Sequence, residues 1–257
     1  MRLNPMKTKL AAGESVYGMM VFEFLSPGLP RIVSNAGCDF ILYDLEHSGF
    51  TIEDMKTQFA LCAGLGLVPI ARPPGKAYNI TARMLDVGGF GLLYQMVGSA
   101  EEARELVSWT RYPPAGVRGA IFGGAHDDYT GGDMAGKATA AMDRTLVAAL
   151  IETKDGLDNI DEIMAVDGID VAHLGHADLS LSLGIPGQFD HPDLQRGIDK
   201  IVEAAEKNGK SAGAMMPTLD WGQDLKNRGY RMISYSHDMG LLGESLSAGL
   251  QALKGNA

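Results

Sequence analysis

Phe40-Ile41-Leu42-Tyr43-Asp44-Leu45-Glu46-His47 opens as an unbroken apolar and aromatic run and closes on two carboxylates and an imidazole. The first half has the pattern of a fully buried strand. Such a run is stable where both faces of a sheet are covered, as in parallel sheets flanked by helices, and its polar end then emerges at the rim where α/β proteins bind ligands. The rest of the chain is read by asking what else reaches that rim.

Similar short runs recur at 16–22, 67–71, 91–95, 146–151, 169–174, 211–215 and 231–235, which with 40–43 makes eight. Between them lie helical patterns at 51–61, 101–110, 157–165, 192–207 and 219–228, with a last one at 239–253. Alternation of this kind implies crossover connections and a parallel sheet, and eight repeats close it into a single-domain (β/α)₈ TIM barrel over residues 1–257. An open doubly wound sheet is the competing architecture, but no G-x-G-x-x-G follows the first strand. Residues 112–142 break the rhythm with a stretch rich in Gly and Pro, read as a long loop lying over the rim or reaching beyond it.

The formal charge of −10 and a pI near 5.0 speak against nucleic acid as a partner, since a phosphate backbone needs a basic face. Small anionic substrates need only a local cation or a metal. The longest apolar stretch, 59–71, is too short and too broken by Gly64, Gly66 and Pro69 to span a bilayer, and Lys7 and Lys9 are followed by no apolar segment of a signal peptide. Cys38 and Cys62 lack metal-ligand spacing. The expectation is a cytoplasmic protein with no membrane partner.

At the predicted strand ends stand Asp44, Glu46 and His47, then Arg72 with Pro73 and Pro74, Gln95, Glu152-Thr153-Lys154, His176-Ala177-Asp178, and Ser236-His237-Asp238. Glu152 and Asp178 follow adjacent strands about 5 Å apart, so their carboxylates can converge. Such a pair either shares a proton or binds a cation, with Mg²⁺ the natural guest and Mn²⁺ or Co²⁺ as substitutes. The blander alternative has Glu152 facing the N-terminus of the next helix and Asp178 as an N-cap. Arg72 offers a planar fork suited to a carboxylate or enolate oxygen, or else forms a structural ion pair with Asp44 or Glu46. His47 is the proton carrier, oriented by Asp44 or Asp86, unless it is structural. His237 and His176 are weaker candidates, and His126 sits in the Gly-rich stretch. Lys154 could form an imine with a 2-oxo acid, but its acidic neighbours favour the charged amine.

Taken together, Asp44-Leu45-Glu46-His47, Ala71-Arg72-Pro73, Thr110-Arg111-Tyr112-Pro113-Pro114 with Arg118-Gly119, Ile151-Glu152-Thr153-Lys154 and Gly175-His176-Ala177-Asp178-Leu179-Ser180 resemble the HpcH/HpaI aldolase family. The resemblance runs from about Pro5 to Leu250. It implies a metal-dependent class II pyruvate aldolase, with Glu152 and Asp178 as metal ligands and Arg72 on the pyruvate oxygens. His47 would be the acid/base group, supported by Asp44 and Asp86. Gln95 and Ala177 join Arg72 and Asp178 as substrate-binding candidates. It further implies a homo-oligomer, trimer or hexamer, with the last helix exchanged between subunits. Leu45, Leu150 and His176 depart from the residues usual in these aldolases, which bears on the choice of aldehyde.

The reaction so expected is reversible cleavage of a 4-hydroxy-2-oxo acid to pyruvate and an aldehyde through a metal-bound enolate, with oxaloacetate decarboxylation available by the same route. The rivals are a citrate-lyase-like CoA-thioester lyase and a barrel that binds a 2-oxo acid without turning it over.

Overall fold

A computed structural model describes residues 1–255. Its strands are β1 (Val16–Val21), β2 (Phe40–Asp44), β3 (Val68–Arg72), β4 (Gly91–Tyr94), β5 (Leu146–Ile151), β6 (Val171–Leu174), β7 (Ser211–Met216) and β8 (Tyr230–His237). They pair in chain order, all parallel, and β8 returns to β1 to close the barrel. The open doubly wound sheet is therefore excluded. All eight strands expected from the sequence are present, with ends shifted by one or two residues where chain entry and exit decide the last ladder bond.

The helices are α1 (Pro5–Ala11), α2 (Leu29–Asn35), α3 (Ile52–Cys62), α4 (Tyr78–Asp86), α5 (Ala100–Thr110), α6 (Met134–Arg144), α7 (Lys154–Asp158), α8 (Ile160–Met164), α9 (His176–Ser182), α10 (Pro192–Lys207), α11 (Leu219–Arg228) and α12 (Asp238–Lys254). Caps explain the sharper starts. Thr51 and Asp54 form a reciprocal capping box at α3, and Ser99 and Thr218 accept the N3 backbone N–H of α5 and α11. The pattern at 157–165 divides into α7 and α8 at Asn159, whose side chain donates to the Gly98 carbonyl at 2.8 Å.

Strand alternation sorts side chains into two cores. Met20, Phe40, Leu42, Val68, Ile70, Leu93, Leu150, Val171 and Met232 fill the barrel interior. Ile41, Tyr43, Ala71, Leu92, Ile151 and Leu174 face the helices. Each fully buried Leu or Ile contributes roughly 1.5–3 kcal/mol. The same alternation sends Asp44, one step beyond Leu42 on the inner face, into the mouth of the barrel. Register then sets its neighbour: Asp44 pairs with Arg72 across β2 and β3, and Ile151 with Leu174 across β5 and β6, so Glu152 and Gly175 form the next rung.

The Gly-rich stretch differs from expectation in two ways. It contains α6, capped by Asp133, and a single 3₁₀ turn at Ala125–Asp127. It also leaves α5 at the end of the barrel where strands begin, because α5 has already carried the chain back from the rim. From there it runs along the outside of α4, where Arg118 meets Asp86 and the Gly119 N–H donates to the Tyr78 hydroxyl at 2.8 Å. It reaches Tyr78 at the rim end of α4, but none of its residues lines the cavity in the barrel mouth.

Candidate active site

At the C-terminal mouth, Asp44 is fully buried and divides its two oxygens between two tasks. Oδ1 accepts the backbone N–H of His47 at 2.7 Å, which fixes the turn after β2; Oδ2 accepts from Arg72 Nε and Nη2. Arg72 Nη1 lies 3.1 Å from Glu46 Oε2, and that oxygen is 3.6 Å from His47 Nε2. The guanidinium is thus enclosed by two carboxylates, as the ion-pair alternative for Arg72 required, and is also aimed into the mouth. Glu46, rather than Asp44, faces the imidazole. Asp44 acts on His47 only through its backbone.

Asp86 is not part of this group within one chain. It ends α4 at the far end of the barrel and accepts from Arg118 Nη2 at 2.7 Å. The expected Asp86–His47 support therefore fails in the monomer, because the helix carrying Asp86 returns away from the rim. His126 is likewise remote: it is buried beside Tyr112, 3.5 Å from the phenol oxygen, and against Arg144.

Across the mouth, Glu152 is buried at the end of β5. Oε1 accepts the Met96 N–H at 2.8 Å, and Met96 itself adopts φ +48°, a left-handed conformation costly for a residue with a side chain. Lys76 Nζ donates to the Met96 carbonyl at 2.8 Å, so both faces of that peptide turn are held. On its other side Glu152 leans over Gly175: a Cβ there would stand 2.5 Å from Glu152 Cβ and 2.7 Å from Oε2. Burial above all, with the like charge of Asp178, lifts the Glu152 carboxyl to about 7, against the lowering by the Met96 N–H. Asp178 is the third residue of α9, which starts at His176 with Gly175 as N-cap, so it is not the cap itself.

These groups meet at one cavity of about 160 Å³. It is lined by Arg72, His47, Glu152, Ala177, Asp178, His173 and His176, with Met20, Phe22, Leu93, Leu150 and Met215 as apolar walls. Gln95 stands beside it: Nε2 donates to the Pro73 carbonyl at 3.1 Å and steadies the turn after Arg72, while Oε1 is buried without a partner. Lys154 does not line the cavity. It is exposed and pairs with Asp158, whose hydrogen bond and charge raise its amine pKa, the reverse of what an imine-forming lysine needs.

His173, inside the barrel on β6, was not singled out by the sequence reading, although inward alternation from Val171 places it there. Burial, aided by the Arg72 cation, lowers its pKa to about 3, so the ring is neutral. Ser234 on β8 and both ring nitrogens of His173 are buried without protein partners.

A larger cavity, about 610 Å³, opens at the opposite end. Its cations are already engaged: Lys7 with Asp170 at 2.9 Å, Arg111 with Asp167 at 3.1 Å, and Lys210 with the Met164 and Val166 carbonyls. The rim cavity carries the reactive set.

The donor set fits a hard divalent cation. Arg72 is already held by Asp44 and Glu46, Glu152 and Asp178 line the cavity beside it, and Glu152 resists ionising without added positive charge. Among the described residues no three His, Cys, Asp or Glu side chains converge as a metal cage. Glu152 and Asp178 would therefore be the protein's ligands, the remaining positions falling to oxygens of substrate or solvent, as hard cations with few protein ligands commonly accept.

The family model for HpcH/HpaI aldolase/citrate lyase matches residues 19–244. A 2-keto-3-deoxy-L-rhamnonate aldolase of Klebsiella pneumoniae is 35% identical over 240 residues, 91% of this chain and 89% of that protein. One from Escherichia coli is 33% identical over 251 residues, 98% and 93% of the two chains. The crystal structure of an HpcH/HpaI aldolase from Desulfitobacterium hafniense superposes with a TM-score of 0.93 at 31% identity, covering 97% of this chain and 96% of that one.

Proposed function

Since the chain belongs to the HpcH/HpaI aldolase/citrate lyase family, we propose that its rim cavity performs a reversible class II aldol cleavage, splitting a 4-hydroxy-2-oxo acid into pyruvate and an aldehyde. The chain is a carbon–carbon lyase. The observation that carries the reading is the convergence of Arg72, His47, Glu152 and Asp178 on one small cavity. The relatives' substrate, a 2-keto-3-deoxy acid, has the same logic: its C3 methylene lies next to the 2-oxo group, where an enolate can form.

Glu152 and Asp178 would hold a divalent ion, Mg²⁺, Mn²⁺ or Co²⁺. When bound, such an ion supplies Lewis acidity toward the 2-oxo group. Arg72, pre-aimed by Asp44 and Glu46, binds the pyruvyl oxygens and stabilises charge growing on the C2 oxygen. His47 accepts the C4 hydroxyl proton. The C3–C4 bond then breaks, its electron pair forms the C2–C3 double bond of the enolate, and C4 leaves as the aldehyde carbonyl. Proton return to C3 completes pyruvate. Ala177 borders the cavity next to Asp178, and Gln95 supports the Arg72-Pro73 turn. Oxaloacetate decarboxylation would use the same enolate.

Two expectations extend the reading. Residues of α12 expose Leu242, Leu246, Leu250 and Leu253 at helical spacing, which supports a homo-oligomer, trimer or hexamer, with that helix packed on a second copy. The free thiols Cys38 and Cys62 suit the reducing cytoplasm, and among the described residues no helix is long and apolar enough to cross a membrane.

The test is exchange of pyruvate methyl protons in D₂O, followed by NMR, on metal-stripped protein and after adding Mg²⁺, Mn²⁺ or Co²⁺. Exchange that appears only with metal is expected. Exchange that persists without metal would favour imine chemistry. Absence of exchange in both would favour the thioester lyase or a non-catalytic barrel.

A further inference from the structure

One wall of the rim cavity is made by a residue that the reaction above does not use. His176 follows Gly175 directly, at the first position of α9, and its ring lines the same cavity as Arg72 and Glu152. The ring is wedged edge-on against Trp221 of α11, with centroids 4.6 Å apart at 70°, and against Phe189 from the segment between α9 and α10, at 5.2 Å and 76°. Phe189 and Trp221 are themselves 5.4 Å apart. Two aromatic rings, one on α11 and one in the segment between α9 and α10, thus fix the imidazole in one orientation.

Such a box would be filled as well by a phenyl ring. A histidine there brings two polar nitrogens to a cavity whose other side, Met20, Phe22 and Met215, is apolar. Its contacts with the protein are aromatic, so its nitrogens stay available to a polar group that enters the cavity. Metal ligation does not supply the reason, because no His–carboxylate group of three converges among the described residues. The pyruvyl oxygens are already matched by Arg72 and by the carboxylate pair. What remains for His176 is the other half of the substrate.

We propose that His176 is a specificity-determining residue whose imidazole, braced by Trp221 and Phe189, hydrogen-bonds a hydroxyl on the aldehyde half of the substrate. A hydroxyl suits the site because it donates and accepts, and so satisfies either imidazole tautomer. A second carboxylate does not suit it, given four carboxylates already at the mouth. The inference rests on the aldolase reading, and its test separates the two.

The experiment is condensation of pyruvate with glycolaldehyde and with acetaldehyde, which differ by one hydroxyl, using metal-loaded wild type, His176→Phe and His176→Gln. The readout is the ratio of kcat/KM for the two aldehydes. The ratio is expected to fall about tenfold in His176→Phe, mainly through the KM for glycolaldehyde, and to be largely restored in His176→Gln. Tryptophan fluorescence checks that the aromatic box is intact. If His176→Phe does not fold, His176→Leu replaces it against His176→Gln. A ratio that is the same in the apolar and amide variants overturns the proposal. Wild-type protein that exchanges no pyruvate protons overturns the aldolase reading itself, whereas wild type that exchanges them while the ratio ignores residue 176 overturns only this inference.

Discussion

At the rim, Arg72 is enclosed by Asp44 and Glu46, yet the cluster stays open on one side to a cavity shared with Glu152 and Asp178. Beneath the Gly-rich stretch, Lys137 is enclosed just as tightly, 2.6 Å from the buried Asp127 and bonded to the Thr130 carbonyl, and Arg144 stacks over Phe90 while donating to the His126 carbonyl. Both regions take charge out of water. In the second, Lys137 and Asp127 close on one another and help define where α6 packs, while Asp127 Oδ1 and Arg144 Nε and Nη2 stay buried without a partner among the described residues. In the first, the pairing is left incomplete toward a ligand, and Glu152 shows the cost by holding its proton up to about 7.

Substitutions should separate the two regions. The largest effect is expected from Glu152→Ala, which removes one of two candidate metal ligands and should abolish metal-dependent turnover while the barrel stays folded; steady-state assays and circular dichroism check both parts. Arg72→Ala should lower kcat/KM by about 10²-fold or more, and turnover left intact would remove Arg72 from its assigned role. Lys137→Met should do the opposite, lowering unfolding free energy by roughly 3 kcal/mol because Asp127 is left buried without its partner, with kcat/KM within about twofold of wild type. Equal kinetic damage from Lys137→Met and Arg72→Ala would erase the contrast.

His173 gives an effect that is confined to acid and has a defined sign. Its folded pKa, about 3, lies below the unfolded value near 6.5. As pH falls through 6.5 the unfolded chain gains a proton that the folded chain does not. Stability is therefore full above about 6.5 and is lost downward toward 3, at up to about 1.4 kcal/mol per pH unit from this group. Denaturant titrations of His173→Phe should show a shallower loss over that window.

The barrel was legible because periodicity is local: the run at 40–43 carries its alternation in the sequence, and eight such runs with helices between them admit few architectures. Asp44, Arg72, Glu152 and Asp178 were legible for the same reason, since each stands at or just beyond a strand's C-terminal end. Asp86 and the stretch 112–142 were misplaced because their position depends on which end of the barrel the chain occupies after a helix. Helix α5 returns the chain to the strand starts, so the stretch after it leaves from there and runs along the outside of α4. Helix α6 was hidden because it lies inside a stretch whose Gly and Pro content reads as loop, with Gly136 in its own first turn. Met96 could not be foreseen at all, as its left-handed turn is imposed by Glu152 and Lys76 from elsewhere in the chain.

Gly175 has a consequence for recognising inactive copies of this barrel. Because Glu152 occupies the space where a Cβ at 175 would stand, a methyl group added there would displace the carboxylate while leaving every charged residue unchanged. A chain that had drifted to alanine at this position would pass any inspection restricted to acids, bases and the arginine, and would still be without its chemistry. Competence in this molecule is recorded partly in an absent atom, so a screen of gene copies should score residue 175 before it scores the ligands.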